Sequence, residues 1–153
     1  MSTHRATVSW RREGEFSRKR YSRVHRWRFD GGLEVQASAS PLVVPKPWVV
    51  DDAVDPEEAF VAAIASCHML TFLFLAANDG FVVEGYEDEA EGHLTQDGAR
   101  RWVSEVVLRP RIEFGSPAPT EAQLQALHER AHEECFIAQS VRTAIRVAGI
   151  GAD

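Results

Sequence analysis

From Ala59 to Ala77 this chain is almost continuously apolar, interrupted only by Ser66, Cys67, His68 and Thr71. A run of that length has two homes, the hydrocarbon of a bilayer or the interior of a folded protein. Its polar residues cluster at the middle of the run, acidic Asp55, Glu57 and Glu58 precede it, and no basic residue follows closely to anchor it. A bilayer span has the opposite pattern. The segment therefore predicts a central helix, apolar on all sides and covered by other elements or by a second subunit.

The elements that cover it are legible as periodicities. Ala6, Val8 and Trp10 alternate, Val24 to Phe29 suggests a second strand, and Leu33, Val35 and Ala37 a third after the Asp30-Gly31-Gly32 turn. Pro41, Pro45, Pro47 and Pro56 mark a loop leading into the apolar helix. After Asn78-Asp79-Gly80, Phe81 to Leu94 and Arg101 to Phe114 read as two long strands joined at Thr95-Gln96-Asp97-Gly98. Thr120 and Gln123 have the spacing of a capping box, which starts a second helix with Leu124, Leu127 and Ala131 on its apolar stripe. Val141 to Val147 closes with a strand. The order is βββ-α-ββ-α-β, an α+β fold with antiparallel sheets around a central apolar helix, in one domain over residues 1–153.

Composition limits the functions such a domain can serve. A net charge of -6 argues against a protein that binds nucleic acid by neutralising phosphates. The local exception, Arg18, Lys19, Arg20, Arg23, Arg26 and Arg28 interleaved with Tyr21, Trp27 and Phe29, reads as a solvated or partner-facing strand on this acidic background. The first residues lack the apolar stretch of a signal peptide, so the expectation is a cytoplasmic protein without a membrane partner. Thiols are held reduced there, and two cysteines imply chemistry or metal binding before they imply a permanent staple.

Those two cysteines admit two chemistries. Cys67 can serve as a peroxidatic thiol whose sulfenic acid is resolved by Cys135 to a disulfide. Such a thiol needs a nearby cation or a helix N-terminus, and the arginine-rich N-terminal strands are a source of the cation. Alternatively His128, His132 and Cys135, spaced i, i+4, i+7, share a helix face and join Cys67 in a tetrahedral zinc site. Spacing alone leaves both open.

The motifs around the cysteines narrow the choice. Asp55-Pro56-Glu57 stands ten residues, counted from its Glu, before Cys67, and Ala131-His132-Glu133-Glu134-Cys135 follows in the second helix. Together they resemble the OsmC/Ohr family, proteins of osmotic induction and organic hydroperoxide resistance, whose reactive cysteines lie in Asn/Asp-Pro-Glu and Ala-His-x-x-Cys-Pro-x-Ser contexts. The resemblance implies an OsmC-like fold assembled as an intertwined homodimer. It implies a thiol-dependent peroxidase of the oxidative stress response, reducing organic hydroperoxides through peroxidatic Cys67 and resolving Cys135. A small dithiol such as dihydrolipoamide would be the reductant, with no bound cofactor and no metal. Glu57 would orient an activating arginine. Arg12, in Trp10-Arg11-Arg12-Glu13-Gly14, matches the hydroperoxide-resistance branch, and Arg23 is the second choice.

Departures from that pattern are specific. Phe136-Ile137-Ala138 replaces Pro-x-Ser, and His68 stands where an apolar or aromatic residue is usual. A non-enzymatic redox sensor or binding module on the same scaffold is the alternative reading. One geometric conflict also arises. Ten residues of continuous helix separate Glu57 from Cys67 by about 15 Å along the axis, which favours a helix break near Ala65-Ser66 that leaves Cys67 at a helix N-terminus.

Overall fold

The structure, a computed structural model, describes residues 2–149. It contains two compact units, one running to Ala59 and the other starting at Phe60.

In the first unit, β1 (Ala6–Ser9) is followed by a small ribbon of β2 (Gly14–Glu15) and β3 (Arg20–Tyr21), then by β4 (His25–Phe29) and β5 (Glu34–Ala37). β4 is the middle strand of a three-stranded antiparallel sheet, with Val8 opposite Trp27 and Trp27 opposite Val35. The three strands follow the alternation of the sequence; the β2–β3 ribbon was not foreseen. Its Gly14 has φ 96°, and a Cβ there would lie 2.3 Å from the carbonyl oxygen of Arg20, so only glycine fits. The proline-rich loop returns to β5, where Ser38 donates its N–H to Val54 and Val54 donates to Gln36.

Helix α1 (Pro56–Asn78) opens in the first unit and continues through the second. It is unbroken. The expected interruption at Ala65-Ser66 does not occur: no Gly or Pro stands there to break the helix, and Ala59, Ala62, Ala63, Ala65, Met69 and Leu70 favour it. The hydroxyl of Thr71 donates back to the Cys67 carbonyl at 2.9 Å, within the same helical course.

The second unit adds β6 (Val83–Asp88), β7 (Glu91–Asp97), β8 (Arg100–Leu108), β9 (Pro110–Phe114), α2 (Glu121–Glu134) and β10 (Ala144–Val147). The two long strands expected from the sequence are four. Pro110 offers no ladder donor, and the Arg109 N–H is taken by the Asp88 carboxylate at 2.7 Å instead of by a neighbouring strand. The ribbon divides there into a β6–β9 pair and a β7–β8 pair. β10 joins β8 in parallel, Ile145 beside Val106, so the larger sheet is mixed. Among the described residues the other strand pairs are antiparallel, and an isolated bridge between Ala37 and Val54 is parallel.

α1 packs on both pairs in this unit. Ile64 lies with Val106 and Leu108, and Phe72, Leu75 and Ala76 lie with Leu127 and Ala131 of α2 and with Phe81, Tyr86, Ile112 and Phe114. Fully burying a side chain such as Phe72 or Ile64 is worth about 1.5–3 kcal/mol. The opposite side of the helix is open: Leu70 is 60% and Phe74 62% exposed, in line with exposed Ala63, Ser66 and Ala77. By length and composition alone α1 is long and apolar enough to cross a membrane. α2 starts as the sequence predicts, with Thr120 accepting from the Gln123 N–H and the Gln123 side chain accepting from the Thr120 N–H.

Candidate functional site

Cys67 lies at the middle of α1, and Cys135 caps the C-terminal end of α2. They lie close enough for Cys67 to raise the pKa of the Cys135 thiol. Cys135 is 1% exposed, Cys67 is half-buried, and both are free thiols. Burial pushes the Cys135 thiol up to about 11, and the neighbouring Cys67 thiol adds to the rise, against the opposing pull of backbone N–H groups. At neutral pH its proton therefore stays in place, held next to the Cys67 sulfur.

The turn after α2 fixes that position. Cys135 leaves the helix in an extended conformation, φ -71° and ψ 114°, and its sulfur accepts the Ala138 N–H at 3.4 Å. Gln139 donates its N–H to the Cys135 carbonyl and its side-chain amide to the Glu133 carbonyl, satisfying an otherwise unpaired acceptor at the helix end. Ser140 donates to the Phe136 carbonyl at 2.7 Å. This network closes the turn although proline is absent from the position of Phe136, whose ring is 84% exposed. The contribution of Gln139 had no signal in the sequence beyond its distance from Cys135.

The two helices meet directly at the residue that follows Cys67. His68 Nε2 and His128 Nδ1 are 2.9 Å apart, both residues are 2% exposed, and the ring planes are within 4°. Phe72, one turn along α1, packs on His128 with ring centres 4.5 Å apart. Burial lowers His68 to about 4, with a further contribution from the charge of His132, and burial then His68 lower His128 to about 4. Both imidazoles are neutral at pH 7, so one N–H is shared between two nitrogens.

The zinc arrangement does not form. His128 Nδ1, which a metal would need, is engaged by His68. Among the described residues no three Cys, His, Asp or Glu side chains converge as a metal ion requires.

The remaining expected site residues, Glu57, Arg12 and Arg23, belong to the first unit. Asp55 and Glu58 begin α1 by a reciprocal pair of bonds, Glu58 N–H to Asp55 Oδ1 at 2.8 Å and Asp55 N–H to Glu58 Oε2 at 3.1 Å. Pro56 takes the first helical position, where its missing N–H costs nothing. Glu57 is half-buried and takes no part in that box. Along the unbroken helix it stands about 15 Å from Cys67, so the two make no direct contact. Among the described residues the ion pairs of this unit are Arg18–Glu15, Arg26–Glu34 and Lys46–Asp51, none of which includes Glu57.

Arg12 is exposed between β1 and β2. Arg23 is held: its guanidinium donates to the carbonyls of Lys19 and Tyr21 and lies 3.7 Å from the centre of the Tyr21 ring. It lines a cavity of about 340 Å³ together with Trp10, Phe16, Tyr21, His25, Ser38, Ala39 and Pro56. Trp10, Phe16 and Tyr21 pack against one another with centres 4.7 to 5.9 Å apart.

The family model for OsmC-like protein matches residues 50–148, which include α1, α2 and both cysteines. The chain belongs to the OsmC family. An OsmC-like protein of unknown function from Vibrio cholerae is 50% identical and superposes with a TM-score of 0.92, over 96% of this chain and 98% of that one. An organic hydroperoxide resistance protein OsmC from Legionella pneumophila has 19% identity, a TM-score of 0.70 and coverage of 96% and 97%. An organic hydroperoxide resistance protein from Elizabethkingia anophelis has 21% identity, a TM-score of 0.71 and coverage of 96% and 93%. These last two share the OsmC fold with this chain. None of the curated proteins matches it.

Proposed function

We propose that this OsmC-family chain is a thiol peroxidase for organic hydroperoxides, acting in the cytoplasm as a homodimer. The observation that carries the reading is the proximity of the Cys67 and Cys135 thiols within one chain, with the Cys135 proton held by burial and by the neighbouring thiol. The Cys67 sulfur attacks as thiolate the terminal oxygen of the hydroperoxide. The O–O bond breaks, the alkoxide leaves and takes up a proton as the alcohol, and Cys67 becomes sulfenic acid. Cys135 then attacks the Cys67 sulfur. An S–S bond forms, and the departing hydroxide takes the Cys135 proton as water. A small dithiol such as dihydrolipoamide returns two electrons by exchange and restores both thiols.

Arg23 fits the part of the activating cation better than Arg12, because its guanidinium is already fixed by two carbonyls and a ring beside an aromatic-lined cavity suited to an apolar tail. Glu57 serves by orienting an arginine. The homodimer reading is supported by the open side of α1, where Leu70 and Phe74 present a large apolar surface to solvent.

The test is steady-state reduction of cumene hydroperoxide with dihydrolipoamide. Wild type should turn over repeatedly. Cys67→Ser should be inactive, and Cys135→Ser should complete a single round and accumulate sulfenic acid. Full activity of Cys67→Ser would end the peroxidase reading, and stoichiometric oxidation of wild type without turnover would replace it with a redox sensor.

A further inference from the structure

Two imidazoles buried side by side are an expensive way to fill a core, since an alkyl pair of the same volume needs no polar partner. The peroxide chemistry itself has no use for them. Their location suggests what they do. His68 follows Cys67 on α1, and His128 lies on the helix that Cys135 terminates, so the two helices that carry the thiols are joined directly by a bond between nitrogens.

Packing, disulfide and hydrogen bond differ in what they tolerate. The apolar packing of Leu127 and Ala131 against Phe72, Leu75 and Ala76 is non-directional and permits small rotations of α2 and slides along its axis. A disulfide does not permit them, because its Cα separation and torsion fall in narrow ranges. The 2.9 Å bond between His68 and His128 is directional, and with Phe72 packed on the His128 ring it leaves α2 one rotation and one axial register.

We propose that His68 and His128 are positioning residues for the Cys67–Cys135 couple: their bond sets the rotation and register of α2 on α1 and thereby the approach of the two sulfurs. The proposal extends the two-thiol mechanism and rests on Cys67 and Cys135 closing a disulfide. The step is the two-electron, two-proton oxidation of the dithiol, and oxidised glutathione serves as acceptor in the test, leaving as two molecules of reduced glutathione.

The experiment is the equilibrium constant of this exchange, measured by thiol trapping across glutathione buffers at pH 7, beside the thermal midpoint of each variant. The double variant His68→Leu/His128→Leu keeps the volume and removes the bond. Its disulfide equilibrium constant should fall about three- to tenfold, which is about 0.6–1.4 kcal/mol at about 1.4 kcal/mol per decade and within the range for loss of one hydrogen bond. His68→Gln/His128→Asn places amide atoms near Nε2 of the one ring and Nδ1 of the other and should restore most of the wild-type constant. Should the leucine variant fail to fold, His128→Asn is compared with His128→Gln, whose amide lies one bond too far, and the asparagine variant should hold the constant better. Equal constants in wild type and the leucine variant, whatever their thermal midpoints, or equal constants in the asparagine and glutamine variants, would overturn the proposal and leave the peroxidase reading untouched. A wild type that forms no disulfide at any glutathione ratio would overturn both.

Discussion

Acid should loosen this protein through its core before its surface carboxylates titrate. His68 and His128 ionise near 6.5 in an unfolded chain and near 4 in the native one, where burial disfavours the cation. Native values below the unfolded ones mean that the unfolded state binds the extra protons. The associated stability is complete above pH 6.5 and drains as pH falls toward 4. At about 1.36 kcal/mol per pH unit the gap corresponds to roughly 3 kcal/mol for one imidazole. For the pair about 6 kcal/mol is a ceiling, because rings that share a proton do not titrate independently. Against a typical total of about 5–15 kcal/mol this is decisive. Within this unit the ring of Phe72, which is neutral, packs on His128, and His132 adds to the lowering of His68. Urea unfolding followed by tryptophan fluorescence from pH 7.5 to 4 should show stability falling steeply below pH 6.5. The same profile for His68→Leu/His128→Leu should be nearly flat down to about pH 5. A wild-type curve that is level across this window, or one that the double variant reproduces, would show that the buried imidazoles carry no such linkage.

Two further outcomes are expected. Replacing Leu70 and Phe74 by Glu should convert a dimer to a monomer in light scattering at micromolar concentration, since charge on that stripe cannot be buried unpaired; an unchanged mass would place any subunit contact elsewhere. Thr120→Ala removes the N-cap of α2 and should cost about 1 kcal/mol, a drop of about 2–4 °C in thermal midpoint for a chain of this size, read by circular dichroism.

What the sequence disclosed and what it withheld divide along the range of the interactions involved. The capping box at Thr120 and the alternation of the first sheet are local patterns, and both appear as read. The division of the long ribbon at Asp88 and Arg109 was signalled by Pro110, but the sequence cannot show that the Arg109 N–H finds a carboxylate across the corner. The histidine contact joins residues 60 positions apart. Spacing put His128 and His132 on a common face and suggested a metal, whereas only packing shows which of them turns inward. The clue available beforehand was His68, a lone imidazole in an apolar run, with Leu127 and Ala131 around His128.

The start of α1 alters how substitutions in the Asp55-Pro56-Glu57-Glu58 segment should be understood. Three of its four positions are committed to launching a helix that carries Cys67 three turns downstream. Changing Asp55 or Glu58 would lower activity by fraying that helix, and kinetics alone would make a scaffold residue look like a chemical one. Glu57 is the single position whose loss leaves the box whole. A deficit that appears in Glu57→Gln with the thermal midpoint unmoved is the signature separating chemistry from architecture here, and the same deficit in Asp55→Ala would carry no such information.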